Sequence, residues 1–328
     1  MDPVKALKQV AFHLERAGEP TYRVQAFRRA AAVIADLDPV EVEKRAKLGT
    51  LTDLKGVGKA TAGVVLDALA NREPSYLAKL RHVDLSGGEE LRARLKGDCH
   101  VHSDWSDGGS PIREMAEAAR DLGHEFMVLT DHSPRLTVAN GLSRARLEKQ
   151  LEVVAELNVE LAPFLILTGI EVDILDDGSL DQDDDMLERL DIVVASVHSK
   201  LKMPKAEMTE RMVTAVSNPH VDILGHCTGR LVVGRGRPES QFDAVRVFEA
   251  CAEHGTAVEI NSRPERLDPP RRLLSLAVDA GCTFSIDSDA HAPGQLDWLN
   301  YGCARAEECG VTPKMVINTR PASALLSG

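Results

Sequence analysis

No Cys-x-x-Cys pair occurs among the six cysteines Cys99, Cys227, Cys251, Cys282, Cys303 and Cys309. That scatter supplies no disulfide framework, and reduced, mostly buried thiols are expected. No charged-then-apolar leader opens the sequence, and no apolar run approaches the length that spans a bilayer. A cytoplasmic protein without a membrane segment is the expectation. Uniform charge is also missing. Residues 1–97 carry 17 Lys and Arg against 13 Asp and Glu, a net of +4, and the remainder carries 22 against 38, a net of −16. At 328 residues two folding units are expected, a basic one followed by an acidic one.

What the acidic part does have is a repeated pattern. The stretch Asp98-Cys99-His100-Val101-His102-Ser103-Asp104-Trp105-Ser106-Asp107-Gly108 places His100 and His102 two residues apart at the end of an apolar run. In a strand, i and i+2 point the same way, so both imidazoles can meet one ion, with Asp107 following in the next loop. Five later runs also stop at ligand-type side chains. Phe126 to Thr130 meets Asp131 and His132; Phe164 to Ile170 meets Glu171, then Asp173. Asp191 to Val197 delivers His198, Val221 to Gly225 delivers His226, and Thr283 to Ser288 delivers Asp289 and His291. The run Ala257 to Asn261 closes on polar side chains. Any one of these histidines is equally well a structural residue; their shared position is what points to metal.

Helical periodicity fills the gaps, over 111–122, 143–160, 204–217, 239–254 and 269–280. Strands alternating with helices imply an α/β fold with a covered parallel sheet. An open doubly wound sheet gathers ligands at one switch point, whereas functional ends on successive strands belong to a closed barrel mouth. Seven runs predict a seven-stranded, distorted barrel. Cys99 and Cys227 adjoin proposed ligands, but a strand neighbour points away from the site.

In the basic part, 3–17 reads as an amphipathic helix. The pattern over 23–37 turns Val24, Phe27, Ala31 and Ile34 inward and Arg23, Arg28 and Arg29 outward. Then Leu54-Lys55-Gly56-Val57-Gly58-Lys59-Ala60 opens another helix. Gly56 and Gly58 permit a tight turn whose amides sit at a helix N-terminus and receive a phosphate oxygen, flanked by Lys55 and Lys59. An ordinary helix-helix turn uses the same glycines.

Residues 1–82 resemble the small N-terminal domain of family X DNA polymerases, through Tyr22-Arg23-Val24-Gln25-Ala26-Phe27-Arg28-Arg29-Ala30 and the glycine turn. The resemblance implies a small all-α helix-hairpin-helix domain that grips the DNA backbone, with Gly56, Gly58, Lys55, Lys59, Arg23 and Arg28 as contacts. Val64 stands where lyase members carry a Schiff-base lysine, so DNA binding without lyase chemistry is expected. Residues 98–328 resemble the PHP (polymerase and histidinol phosphatase) family. The match rests on Thr130-Asp131-His132-Ser133, Gly169-Ile170-Glu171-Val172-Asp173, Ser196-Val197-His198-Ser199, Gly225-His226-Cys227-Thr228-Gly229-Arg230 and Ser288-Asp289-Ala290-His291. Glu259 to Asp268 is most similar to the PHP domain of bacterial family X polymerases, although the polymerase palm is missing and residues 83–97 read as a linker flexible at Gly87 and Gly88.

The PHP resemblance implies three divalent ions of Mn, Zn or Fe. One would be held by His100, His102, Glu171 and Asp289; Glu171 would bridge to a second at His198 and His226; Asp107, His132 and His291 would hold the third. Adjacent ions generate hydroxide near neutral pH and clamp an in-line displacement at phosphorus. Arg263, Arg230 and Lys200 are candidates for neutralising phosphate oxygens, each equally readable as surface charge, and Asp131 for orienting His132 or serving as an outer acid. A DNA phosphoesterase processing 3′ ends or gaps is the reading favoured here, as exonuclease or phosphatase, with a polymerase partner in trans left open. A small-molecule phosphatase of the histidinol-phosphate type and a non-catalytic DNA-binding scaffold are the alternatives.

Overall fold

The computed structural model describes residues 1–77, 80 and 86–326. The chain divides into two compact units, Met1–Asp84 and Leu85–Gly328. The first is all helical, with α1 (Pro3–Arg16), α2 (Thr21–Ala35), α3 (Pro39–Leu48) and α4 (Lys59–Leu69). Asp2 and Asp38 cap α1 and α3 by accepting from Val4 N and Val40 N, each with proline at the first helical position. Leu7, Val10, Leu14, Phe27, Ile34 and Val65 fill the core. Val64 lies in the same core at 1% exposure, so the position carries neither an amine nor access to DNA. The glycine turn forms between a short 3₁₀ segment, Leu51–Asp53, and α4. Gly56 adopts φ +103°, and a Cβ there would press on the Arg29 side chain at 3.2 Å.

The second unit alternates strand and helix. It comprises α5 (Glu89–Arg92), β1 (Gly97–Val101), α6 (Ile112–Asp121), β2 (Phe126–Leu129), α7 (Arg144–Leu161), β3 (Leu165–Asp173), α8 (Asp184–Leu187) and β4 (Ile192–Ser196). There follow α9 (Lys205–Val216), β5 (Ile223–Leu224), α10 (Ala244–His254), β6 (Ala257–Asn261), α11 (Arg271–Asp279), β7 (Phe284–Asp287), α12 (Leu299–Glu308) and α13 (Ala322–Leu325). All seven strands are parallel and pair in chain order from β1 to β7. A single bridge, Val101 to Ala290, with His102 N donating to Ala290 O at 2.8 Å, nearly closes the barrel between β7 and β1. Alternation along β2 sends Phe126 and Val128 to one apolar cluster, with Leu167, Val194 and Ile223, and Met127 and Leu129 to another.

Three features depart from expectation. The first residues of the expected linker, 83–85, lie outside the described residues, but from Gly87 onward the segment is packed rather than loose. Leu91 is buried, its N–H donates to Glu307 Oε1 at 2.9 Å, and a Cβ on Gly88 would meet Ala304 N at 2.3 Å. Burying a leucine contributes about 1.5–3 kcal/mol, enough to hold the segment down. Helices α3 and α12 were not legible as periodic patterns: α3 buries Val42 alone. Third, α10 begins at Ala244 because Asp243 caps it, and 239–243 runs as loop.

Candidate metal centre

Six strand ends put their ligand-type side chains at one mouth, around Glu171. This carboxylate is 1% exposed, and both oxygens lack a hydrogen-bond donor. Four imidazoles turn Nε2 toward it: His226 at 3.0 Å, His198 at 3.2 Å, His100 at 3.4 Å and His102 at 3.6 Å. His132 approaches with Nδ1 at 2.8 Å. Asp289 Oδ1 stands 3.5 Å from His102 Nε2, and Asp107 Oδ1 lies 3.3 Å from His291 Nε2 and 3.5 Å from His132 Nε2. The nine expected ligands are thus brought together. Three groups have their donor atoms within 4.8 Å of one another: His102, Asp107, His132, His291; His100, His102, Glu171; and His132, Glu171, His198. His102 and His132 belong to two groups each, a sharing that strand-by-strand assignment does not reveal.

Buried polar atoms without partners are costly, because desolvation is uncompensated. Here His100 Nε2, both nitrogens of His102 and His198, His132 Nδ1 and both Glu171 oxygens are in that condition. Imidazole and carboxylate donors that converge without hydrogen-bonding one another fit divalent cations. Burial alone would raise the Glu171 carboxyl; attraction to His100, His198 and His132 outweighs it and holds the group well below the usual range. Burial likewise pulls His198 down, but Glu171 and Asp173 lift it to about 9.

An outer ring fixes these rings. His100 Nδ1 is 2.6 Å from Glu259 Oε1, and the other Glu259 oxygen accepts the His226 backbone N–H. His198 Nδ1 faces Asp173 Oδ1 at 3.4 Å, while His198 N donates to it at 3.2 Å. Glu259 thereby selects the His100 tautomer that leaves Nε2 for the cup, while Asp173 anchors the backbone that carries His198. Glu259 was passed over in the sequence; its signal was a charge in the middle of Ala257-Val258-Glu259-Ile260-Asn261, where only a partnered charge is tolerated.

The arginines divide. Arg263 lies over the Trp298 ring at 5.9 Å, donates to Asp289 O at 3.0 Å, and faces His291 Nδ1 at 3.0 Å. Arg266, unremarked in the sequence, pairs with Asp289 Oδ2 at 3.2 Å. Both line a cavity of about 480 Å³ with Glu171, Leu136, Leu231 and Val233. Lys200 and Arg230 do not line it. Lys200 is exposed and pairs with Asp176; Arg230 donates to the carbonyls of Arg266 and Leu267. Asp131 does not reach the His132 ring either: fully buried, it accepts from Ser103, Ser106 and Gln150, and so shapes the loop that carries Asp107. Cys99 and Cys227 are buried thiols pushed well up by burial, outside the three ligand groups.

With this geometry in place, residues 98–263 match the PHP domain family model. The chain belongs to the PHP domain family. Residues 1–74 of this PHP protein match a helix-hairpin-helix domain model. Over 227 residues it is 44% identical to the DNA polymerase/3′-5′ exonuclease PolX of Bacillus subtilis (strain 168), covering 69% of this chain and 40% of that protein. The chain therefore spans well under half of that relative. A probable phosphatase of Acetivibrio thermocellus is 34% identical over 231 residues, 68% of this chain and 90% of its own. In fold, the PHP unit is similar to histidinol phosphate phosphatase from Lactococcus lactis, solved with zinc, L-histidinol and phosphate; TM-score 0.51, 21% identity, 66% of this chain and 95% of that one.

The hairpin residues are less concentrated. Lys55 and Lys59 are exposed beside Gly56 and Gly58. Arg28 is not available: its guanidinium grips Glu15 Oε1 and Oε2 at 2.8–2.9 Å, with side-chain exposures of 13% and 4%. Arg23 is engaged by Glu19 and by Tyr76 OH at 2.8 Å. Internal acceptors, not solvent, determine where both side chains point. No helix among the described residues is long and apolar enough to cross a membrane.

Proposed function

We propose that this PHP-family metal-dependent phosphoesterase hydrolyses DNA phosphate esters at 3′ ends or gaps, with the helix-hairpin-helix unit holding the DNA backbone. The observation that carries the reading is one chain pairing the ligand cup with a basic hairpin. The 44% identity to a 3′-5′ exonuclease supports it.

His100, His102, Asp107, His132, Glu171, His198, His226, Asp289 and His291 would hold divalent ions, up to three. Such ions supply Lewis-acid polarisation of a phosphoryl oxygen and a nucleophile at neutral pH. The chain's own residues do the rest. Glu259 holds the His100 ring with Nε2 facing inward, and Asp173 accepts the His198 backbone N–H. Arg263 and Arg266 stand on the cavity wall beside Asp289 and offer guanidinium donors to the non-bridging oxygens of a phosphate. A second reading, phosphomonoester hydrolysis on a small molecule, is favoured by the phosphatase relatives whose length this chain nearly covers.

The test compares Mn²⁺-loaded protein on 3′-end-labelled gapped DNA and on histidinol phosphate, with His132→Ala as control and circular dichroism for folding. Processing of the DNA 3′ end that falls about 10³-fold in the control, a loss of several kcal/mol of metal-supplied stabilisation, is expected. Turnover of histidinol phosphate alone would refute the DNA reading.

A further inference from the structure

Between β5 and α10 the chain forms a short arm over the cavity. Leu231 and Arg237 pair across it in an antiparallel bridge, with N–H···O distances of 3.0 and 2.8 Å. Gly236 N closes the turn on Val233 O at 3.1 Å, and Gly234 and Gly236 adopt φ of +66° and +64°, the left-handed conformation that glycine accepts without strain. The base is pinned: Val232 N donates to Glu265 O at 2.7 Å, and Arg237 Nε to Gly229 O at 2.5 Å. The tip stands in water. Val232 and Val233 are 50% and 58% exposed, and Arg235 is exposed with no hydrogen bond or ion pair among the described residues.

The arm is continuous with the site, because Leu231, Val233 and Gly234 line the same cavity as Arg263, Arg266 and Glu171. The cavity wall carries the guanidiniums of Arg263 and Arg266 with the apolar side chains of Leu231 and Val233, and the exposed Arg235 follows Val233 by two residues at the arm's tip. A phosphodiester chain offers a phosphate, an apolar sugar and base face, then a phosphate.

We infer that the arm from Leu231 to Arg237 is a subsite for the nucleotide next to the scissile phosphate, with Val233 against its sugar and base and Arg235 on the following phosphate. The substrate class is then a phosphodiester chain with at least two phosphates. The inference rests on the DNA phosphoesterase reading and sharpens it.

The full Mn²⁺-loaded chain is assayed on a dinucleoside monophosphate, a trinucleoside diphosphate and a chromogenic phosphodiester, as wild type, Arg235→Ala, Arg235→Lys and Val233→Ser. Arg235→Ala is expected to lower the ratio of kcat/KM for two phosphates over one by about tenfold, through KM, the worth of one charge-assisted hydrogen bond; Arg235→Lys restores most of it. Val233→Ser is expected to lower both nucleotide substrates about threefold relative to the chromogenic diester, as partial loss of apolar contact requires. Wild-type turnover of the trinucleoside with an unchanged ratio in Arg235→Ala would overturn the arm's role alone. Equal losses on all three substrates would also overturn it, making the arm a support for the cavity wall. A wild type inert on both nucleotides would bring down the DNA reading and the subsite together.

Discussion

In the barrel, five imidazoles and Glu171 are sealed or nearly sealed from water, yet most of their polar atoms have no hydrogen-bond partner. In the helical unit, Lys55 and Lys59 stand in water beside a turn whose shape depends on Gly56. The two regions place their polar groups by opposite physics. The cup concentrates desolvated donors that only a cation can satisfy, and their placement draws on strands spread over nearly two hundred residues. The turn needs a few consecutive residues and keeps its charges hydrated. A buried site is therefore sensitive to its supports, and an exposed one mainly to its charge count.

The sharpest way to break that contrast is at a support. Glu259→Gln keeps the shape around His100 but weakens its orientation, and a 10–100-fold loss of metal affinity is expected by titration in metal buffers. An unchanged affinity would mean that the outer ring is ornamental. In the helical unit the corresponding support is Arg28. Arg28→Ala strands the nearly buried Glu15 and is expected to cost about 2 kcal/mol in urea unfolding of that unit, without lowering affinity for gapped DNA at matched folding. A selective loss of DNA affinity would return Arg28 to the interface.

Histidine itself sharpens the comparison. His124, buried after α6 and away from the cup's carboxylates, is pulled down to about 3 by burial, with Arg92 adding to the effect. His198, also buried, is lifted because Glu171 and Asp173 face it. Since the unfolded chain binds a proton near pH 6.5 and the folded chain does not, His124 contributes full stability above that pH. The contribution is lost as pH falls toward 3, at about 1.4 kcal/mol per unit. In His124→Leu this part of the slope should vanish from chemical-denaturation curves between pH 6.5 and 4; a difference curve that stays flat would show that the ring is not held neutral. The smallest effect belongs to the exposed turn. Lys59→Ala should weaken gapped-DNA binding several-fold and reduce the salt slope by roughly 0.9, the worth of one phosphate on duplex DNA. Hydrolysis of a chromogenic phosphodiester measures the cup separately in the same protein.

The shared mouth was legible because eight of the nine expected ligand positions sit at or just after the end of an apolar run, which strand geometry gathers on one side; Asp107, in the loop beyond, closes no such run. The parallel barrel was legible for the same reason. Glu259 was readable too, as a charge embedded in a strand. Arg266, Lys200, Arg230 and Arg28 were not, because long side chains on loops and helix faces take partners that tertiary contact alone supplies: Asp289, Asp176, two carbonyls and Glu15. The packing of Leu91 escaped for a similar reason, since its partner Glu307 lies more than two hundred residues away.

The seam between β1 and β7 has a consequence in time. His100 and His102 lie on or just after the first strand, and Asp289 and His291 just after the last, with one backbone bridge between the two edges. A polypeptide made from its N-terminus can complete the helical unit early. The barrel's chemistry waits for residue 291, because no fragment ending sooner has both sides of the cup. Growing chains thus complete the helical unit well before the metal cup has both of its sides.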